Sequence, residues 1–390
     1  MKINRRLSRF VILLVFFSVT ITGCWSRNEI EDLGIISAAA LDAAPNNRVQ
    51  LSLMILQPPA LAGGPGGGGG GAEEAAIIIS AEGNNVAEAA RNIATMLPRK
   101  IFWSHNRLIL IGGDLAKRGL HDLDFFSRER QTRLTSWVMV SSGKAADLLK
   151  VKTHLEKTPA ESLAQLNRSQ VSLPIQVYEF LSALSTEGVG PVVPRVDKTP
   201  SLEAGKGKEE ALKLTGTAIF KENRLAGWAN MNETRGLLWL RGEMAGGVIT
   251  INDPIHAEGY ISVRIRDASR KLTVISEEDG LGLRVKIITD VDVEEVQQKS
   301  QIGNPQYIKA IEEAVAKEIS DHCNKALALA KELRVDAFSF GAQIRGIVPD
   351  YWEQVHEEWD NVFSDIPVDI DVEVNIRRMG LRNNTMERKD

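Results

Sequence analysis

Apolar residues along this chain recur with two periods, one near two and one near 3.6, and their alternation outlines the elements before any other property is weighed. Val49, Leu51, Leu53 and Ile55 alternate with Gln50, Ser52, Met54 and Leu56. This predicts a strand over 49–57, paired through the turn Ala44-Pro45-Asn46-Asn47 with another at about 34–41. Further strands are expected at 75–80, 107–111 and 137–140. Between them the pattern predicts helices at about 84–96, from 114, and near 121–130. Val86, Ala89, Ala90, Ile93 and Leu97 share one face of the first helix, and Pro98 ends it. Such interleaving up to about residue 150 points to a mixed α/β layer. Segments 159–168 and 174–184 read as two surface helices, each opened by a proline in its first turn.

From 186 to 210 the composition changes. Pro191, Pro194 and Pro200, with Gly188, Gly190, Gly205 and Gly207, read as a linker or inter-domain loop. A strand and turn at 216–225 and a short helix at 232–240 follow. Strand candidates come next at 247–252, 257–267, 270–276 and 281–293. The longest helix is expected at 305–333, with Ile308, Ile311, Val315, Ile319, His322, Ala326, Leu329 and Leu333 as its stripe. A second helix, 349–363, places Trp352, Val355 or His356, and Trp359 together. Last, Val368, Ile370, Val372, Val374 and Ile376 alternate with Asp369, Asp371, Glu373 and Asn375 in a half-exposed strand. The expected class is multidomain α+β, with mixed sheets and packed helices. It divides into an N-terminal α/β domain over 24–200, a strand-rich middle domain over 201–295, and a C-terminal domain over 296–390 with the long helix and terminal strand. A chain of 390 residues exceeds the roughly 250–300 that one core serves.

The first residues follow a different rule. Lys2, Arg5, Arg6 and Arg9 precede the apolar run Phe10 to Phe17, extended through Ile21 and closed by Thr22-Gly23-Cys24. A basic start, a short apolar stretch and small residues at the cut make a signal peptide over 1–23. The run is short of the roughly 20 apolar residues that a spanning helix needs. A small residue directly before Cys24 is the lipobox pattern of bacterial lipoproteins, in which the thiol takes a diacylglyceryl group and becomes the new N-terminus. Two acyl chains supply the two signals that stable anchoring takes. The formal charge of −4 becomes −8 once the four basic residues of the leader are set aside. A mildly acidic body argues against nucleic acid as a partner and against electrostatic attachment to anionic lipid. The other cysteine, Cys323, has no thiol left to pair with once Cys24 is alkylated, so cores must hold the fold.

Candidate chemistry is thin. The six glycines Gly66–Gly71, within a Gly-rich loop over 58–74, lack the Lys-Ser/Thr and helix that a phosphate loop requires, and read as a flexible hairpin tip. Ser141-Ser142-Gly143-Lys144 sits between strand and helix, but Val138 and Ala145 replace the glycine and hydroxyl such a loop needs. His322 beside Cys323 would point about 100° away from it on a helix, a poor start for a metal pair. His105, between Trp103 and Arg107, is the best lone histidine, and a buried structural role is expected for it. The acidic face of the last strand invites pairing with a basic strand, either that of Arg264 and Arg266 or that of Arg284 and Lys286. No catalytic, cofactor or metal residue is expected, and the single site residue is Cys24.

Several segments carry a resemblance in their order. Cys24-Trp25 leads to Glu29, then Leu33-Gly34-Ile35-Ile36, and a strand ending in Asp42. Ser80-Ala81-Glu82-Gly83 and Ser104-His105-Asn106-Arg107-Leu108-Ile109-Leu110-Ile111-Gly112 follow. Next come Ala116, Gly119-Leu120, Leu123-Asp124-Phe125-Phe126-Ser127-Arg128 and Arg133, then Glu233 to Leu240. The set closes with Asp336-Ala337-Phe338-Ser339-Phe340-Gly341, Trp352 and Trp359. In this order they resemble the Ger(x)C family of spore germination lipoproteins, the C-subunits of nutrient germinant receptors. Ser26 stands where many members carry an acidic residue. The resemblance implies a non-enzymatic, lipid-anchored subunit on the exported face of the spore inner membrane. It also implies two integral-membrane partner subunits and a role in germination triggered by nutrients such as amino acids or sugars. The alternative reading is a solute-binding lipoprotein that captures the germinant directly, which needs a cleft with convergent polar groups.

Overall fold

The computed structural model describes residues 29–57, 75–153, 155–169, 173–200, 210–256, 259–277, 280–297 and 304–379, and every structural statement below concerns these. The first three strands form an antiparallel meander, β1 Leu33–Ala44, β2 Arg48–Leu56 and β3 Ala76–Gly83. Asn46 and Asn47 make its first turn with positive φ of 56° and 58°, a conformation asparagine tolerates better than most residues. Leu56 and Ala76 are register partners, so the glycine-rich stretch 58–74, itself outside the described residues, joins two ends that already lie side by side.

β4 Lys100–Phe102 pairs with the start of β1. β5 Leu108–Ile111 runs parallel to β1, and β6 Trp137–Val140 parallel to β5. Alternation along these strands feeds two cores. Leu41, Ile109, Ile111, Val138 and Val140 face one side, beneath α1 Val86–Ala94, α2 Gly113–Arg118, α3 Asp124–Arg128 and α6 Val177–Ser185. Ala38, Ala40, Leu108, Leu110 and Met139 face the other, with α4 Ala145–Leu148 and α5 Pro159–Asn167. Cover on both faces is why β5 reads as an unbroken apolar run.

Beyond β6 the structure departs from expectation. Within the Pro- and Gly-rich stretch, Val192–Pro200 is β7, joined to β6 at the single pair Val140 with Arg195; 201–209 lie outside the described residues. That thin ladder leaves room for prolines, which cannot donate to it. β8 Glu210–Lys221 and β9 Arg224–Ala229 then extend the same sheet, in the order β3-β2-β1-β5-β6-β7-β8-β9. The expected division at 200/201 falls between β7 and β8, two strands that pair within this sheet. Pro174 does not open a helix either. Trp137 and Gln176 form a bridge, and α6 starts at Val177 behind a capping box of Gln176 and Glu179. α6 also buries Val177 and Phe180, and α5 buries Leu163, so neither is merely superficial.

The second sheet has the order β10-β11-β12-β13, from Gly247–Asn252, Tyr260–Glu277, Gly280–Val296 and Val368–Arg378. The two strands expected at 257–267 and 270–276 are one, with a bulge between Ile265 and Asp267 near the expected break. α7 Met231–Arg241 and α8 Pro305–Leu333 cover one face. Asn304 caps α8 and Arg334 ends it in the left-handed conformation. Its buried stripe runs from Tyr307 through Ile311, Val315, Ile319, Cys323 and Ala326 to Ala330, with Ile308, Leu329 and Leu333 on the flanks. α7 and α8 touch at Gly236, where a Cβ would lie 2.7 Å from that of Ala326 and collide with the His322 carbonyl. The helix expected at 349–363 is broken into α10 Pro349–Val355, a 3-10 turn His356–Glu358, and α11 Trp359–Asp365; α9 Phe340–Ile347 precedes it. The core beneath α8 also takes in Val192 and Ile219 of the larger sheet, so the two units are welded, not strung together.

Candidate functional site

Cys24 and the leader lie outside the described residues. The first described residue is Glu29. One 3-10 turn, Ile30–Asp32, leads into β1, an interior strand of the larger sheet.

The segments that carry the resemblance meet at two buried carboxylates. Asp42, at the end of β1, accepts hydrogen bonds from the amides of Ala145, 2.7 Å, and Ala146, 2.9 Å. Burial pushes its carboxyl up, and these two amides pull it part of the way back. The backbone donors after Ser141-Ser142-Gly143-Lys144 thus already hold an anion of the chain, where a phosphate loop would hold its ligand. Asp197 on β7 ties down the same turn. It accepts from the Ser142 amide at 2.8 Å, the Ser142 Oγ at 2.6 Å and the Thr215 Oγ1 at 2.6 Å, and pairs with Arg195. Burial alone would raise its carboxyl, but the hydrogen bonds and Arg195 win and hold it below the usual range.

The second meeting point is the turn Asp336-Ala337-Phe338-Ser339-Phe340-Gly341 between α8 and α9. Asp336 is 2% exposed. It accepts from the amides of Phe338, 3.2 Å, and Gly341, 2.7 Å, and from Trp359 Nε1 at 3.1 Å. Burial dominates and pushes its carboxyl up to about 6 despite these donors. Its backbone carbonyl accepts from the Gly190 amide at 2.7 Å. Gly188, at φ 71°, presses its backbone against Gly341 and the Trp352 ring, and neither glycine has space for a Cβ. Trp352 and Trp359 stack obliquely at 5.3 Å between centroids, and Phe338 lies 5.1 Å from Phe340. From β11, Arg270 places its guanidinium 5.2 Å above the Phe340 ring and bonds Gln343; burial pushes its pKa down to about 10. The turn is a joint. It receives the strap 188–190 on its way into β7 and locks the long helix to the larger sheet.

The histidines behave differently from expectation in one case. His105 is exposed, its ring 5.7 Å from that of Phe102, because its neighbours Trp103 and Asn106 take the interior. His322 is buried and its Nε2 lies 3.2 Å from Glu318 Oε1; burial lowers its pKa. Burial likewise pushes the neighbouring Cys323 thiol up. Among the described residues, no three His, Cys, Asp or Glu side chains are grouped to hold a metal. The acidic strand does find a basic partner. β13 lies parallel to β12, with Asp369 bonded to Arg284 at 2.7 Å and Glu373 to Lys286 at 3.1 Å. Arg264 and Arg266 pair instead with Glu294 and Asp292. Sequence reasoning missed Asp197, whose partners lie far away in the chain. It also missed Arg270, which sits among polar residues.

A nine-stranded mixed sheet covered on both faces, joined to a four-stranded sheet under a long helix, defines a two-unit α+β protein. The crystal structure of the GerBC protein shares this architecture, with a TM-score of 0.59 over 87% of this chain and 97% of that one, at 20% identity. The chain belongs to the GerAC-like family of spore germination proteins. Residues 26–198 match the family's "Spore germination protein N-terminal domain" and residues 215–380 its "Spore germination B3/ GerAC like, C-terminal". The first matched region ends within β7 and the second begins within β8, both in the larger sheet. Among relatives, spore germination protein KC of Bacillus subtilis is 28% identical, covering 96% of this chain and 97% of its own. Spore germination protein B3 of the same organism is 24% identical over 96% and 98%, and spore germination protein GerQC of Bacillus cereus 20% over 95% and 98%.

Proposed function

We propose that this chain is the lipid-anchored C-type subunit of a nutrient germinant receptor, held at the spore inner membrane beside two integral-membrane subunits. The observation that carries the reading is the lipobox Cys24 immediately ahead of a body that matches this germination family from 26 to 380. No described helix is long and apolar enough to cross a membrane, and the two acyl chains expected on Cys24 would supply stable attachment. Confinement to the membrane plane raises the local concentration of the subunit, so modest interfaces with its partners suffice. The reading makes the work mechanical: Asp42 and Asp336 accept hydrogen bonds that hold turns together.

Mass spectrometry of the native protein tests the anchor, and is expected to find a diacylglyceryl thioether on Cys24. Purification from spore membranes is expected to bring down two polytopic proteins, and Cys24→Ala to lose them while folding normally. Normal nutrient germination in a strain that carries only Cys24→Ala would overturn the purpose assigned to the tether.

A further inference from the structure

β1, β4, β5 and β6 run parallel, so the segments that lead into all four gather at one end of the larger sheet. Hydrogen bonds tie these segments together. The Arg107 amide donates to the Ser37 carbonyl at 3.1 Å, Ser136 Oγ to the Asn106 carbonyl at 2.6 Å, and the Tyr178 amide, in the first turn of α6, to the Leu134 carbonyl at 3.0 Å. Nine large apolar side chains are exposed among the described residues, and four of them stand at this end. Met96 follows α1, Leu134 precedes β6, Leu155 shares a groove with Arg107 and Arg133, and Tyr178 opens α6; they are between 40% and 99% exposed. The other five, Val248, Ile255, Tyr260, Ile288 and Ile347, all belong to the smaller sheet and its helices. The unit built on the larger sheet thus leaves such side chains to water only here, and a grouping of that kind marks a contact.

The charges around them are mixed. Arg99, Lys100, Arg107, Arg130 and Arg133 are exposed, and none forms an ion pair among the described residues. Glu129 and Glu179 accept from the amides of Gln131, 3.2 Å, and Gln176, 2.7 Å, while Glu31 and Asp32 are exposed where the chain enters. What covers this end follows from the length of chain ahead of it. Cys24 precedes Glu29 by five residues, and an extended chain spans at most about 3.6 Å per residue, so lipid on Cys24 is held within about 18 Å of the described body. The twelve residues of β1 rise about 40 Å, which puts the opposite end, where Asn84 follows β3, beyond that reach.

We propose that this end of the larger sheet rests on the lipid–water interface, with Met96, Leu134, Leu155 and Tyr178 entering it and the basic residues meeting lipid phosphates. The proposal rests on the lipid anchor and adds to it a second contact, which fixes the body's orientation. β1 then points its first residue toward the bilayer and carries Asp42 away from it.

Fluorescence quenching of the lipidated protein in vesicles of phosphatidylcholine and phosphatidylglycerol tests this. Cys323 is buried and Cys24 carries the lipid, so Met96→Cys, Leu134→Cys and Asn84→Cys, all at exposed positions, each offer one thiol to a fluorophore. Lipids with a quencher on the acyl chain are expected to remove most of the emission at 96 and 134 and to leave that at 84 unchanged. Leu134→Asp combined with Leu155→Asp is expected to reduce the quenching at 96 at least about twofold. Labels at 96 and 134 that the lipid quencher does not reach, or equal quenching at 84, overturn the proposal while the protein stays on its vesicles and the anchor stands. Shielding of 96 and 134 that arises only when spore membrane proteins are added assigns this end to a protein partner and refutes the lipid contact. Protein that does not float with the vesicles at all overturns the anchor and the orientation together.

Discussion

Arg284 and Asp369 stand opposite each other on adjacent parallel strands, Nε 2.7 Å from Oδ2, although 85 positions separate them in the chain. The same ladder sets Lys286 opposite Asp371, yet Lys286 reaches on to Glu373. The acidic strand is thus registered by the basic positions of β12, while those of β11 are already engaged with β12 itself.

A double-mutant cycle follows from that register. Arg284→Asp should cost less than about 1 kcal/mol, because both partners are more than half exposed. Adding Asp369→Arg should return part of it. Arg264 paired with Asp371 should show no coupling, since the two lie on strands that do not touch. Denaturant unfolding measures both cycles, and coupling in the second but not the first would refute the register.

Asp336 predicts a pH dependence. Its carboxyl titrates near 6 in the folded chain, against about 3.8 when unfolded. The folded state therefore holds the proton more tightly. Its contribution is complete below about pH 4 and is lost as the pH rises through about 6. The stability of the wild type relative to Asp336→Asn should fall across that window, by at most about 1.4 kcal/mol for each pH unit crossed. Parallel stability curves for the two proteins would show that the group does not titrate there.

Gly236 offers a test of sign. In a free-standing helix, glycine to alanine stabilises by roughly 1 kcal/mol. Here the added methyl meets the His322 carbonyl and Ala326, and overpacking costs about 1–3 kcal/mol. Gly236→Ala should lower the denaturation midpoint, and a raised midpoint would mean that the helices part easily.

Asp42 should be graded in its response. Asp42→Ala leaves two buried amides without an acceptor, at about 1–3 kcal/mol each. Asp42→Asn keeps one acceptor and removes a buried charge, so its melting temperature should fall less. Equal losses would argue that packing, not hydrogen bonding, is the role of this side chain.

Much of the fold is legible from period alone. The meander, α1, α8 and β13 sit where alternation or helical spacing places them. β7 is hidden by its prolines and by a ladder to β6 that hangs on a single pair. The long β11 reads as two strands because Asp267, Ser269, Arg270 and Lys271 break the apolar alternation at its bulge. Pro174 misleads for a local reason, since the glutamine two residues later, not the proline, starts the helix. The family segments point to Asp42 and Asp336, but nothing local says what either side chain holds. Their partners come from α4 in one case and from Trp359 in the other, and only the fold brings them near. Asn106 lies within one of those segments, and no neighbour in sequence signals that its side-chain amide would lack a partner among the described residues. His105 stands out by its aromatic neighbour, yet it points outward.

The smaller sheet is completed by the last strand of the chain. β12 and β13 are separated by the whole of α8, and Glu312 on that helix also receives the Ile376 amide at 2.9 Å. A polypeptide delivered amino end first cannot close this half until β13 has emerged. In the interval β12 shows an unpaired edge and α8 an uncovered flank, the kind of surface that proteases and aggregates find first. The eleven residues of β13 act as a seal, and a product that stops before them leaves both surfaces open.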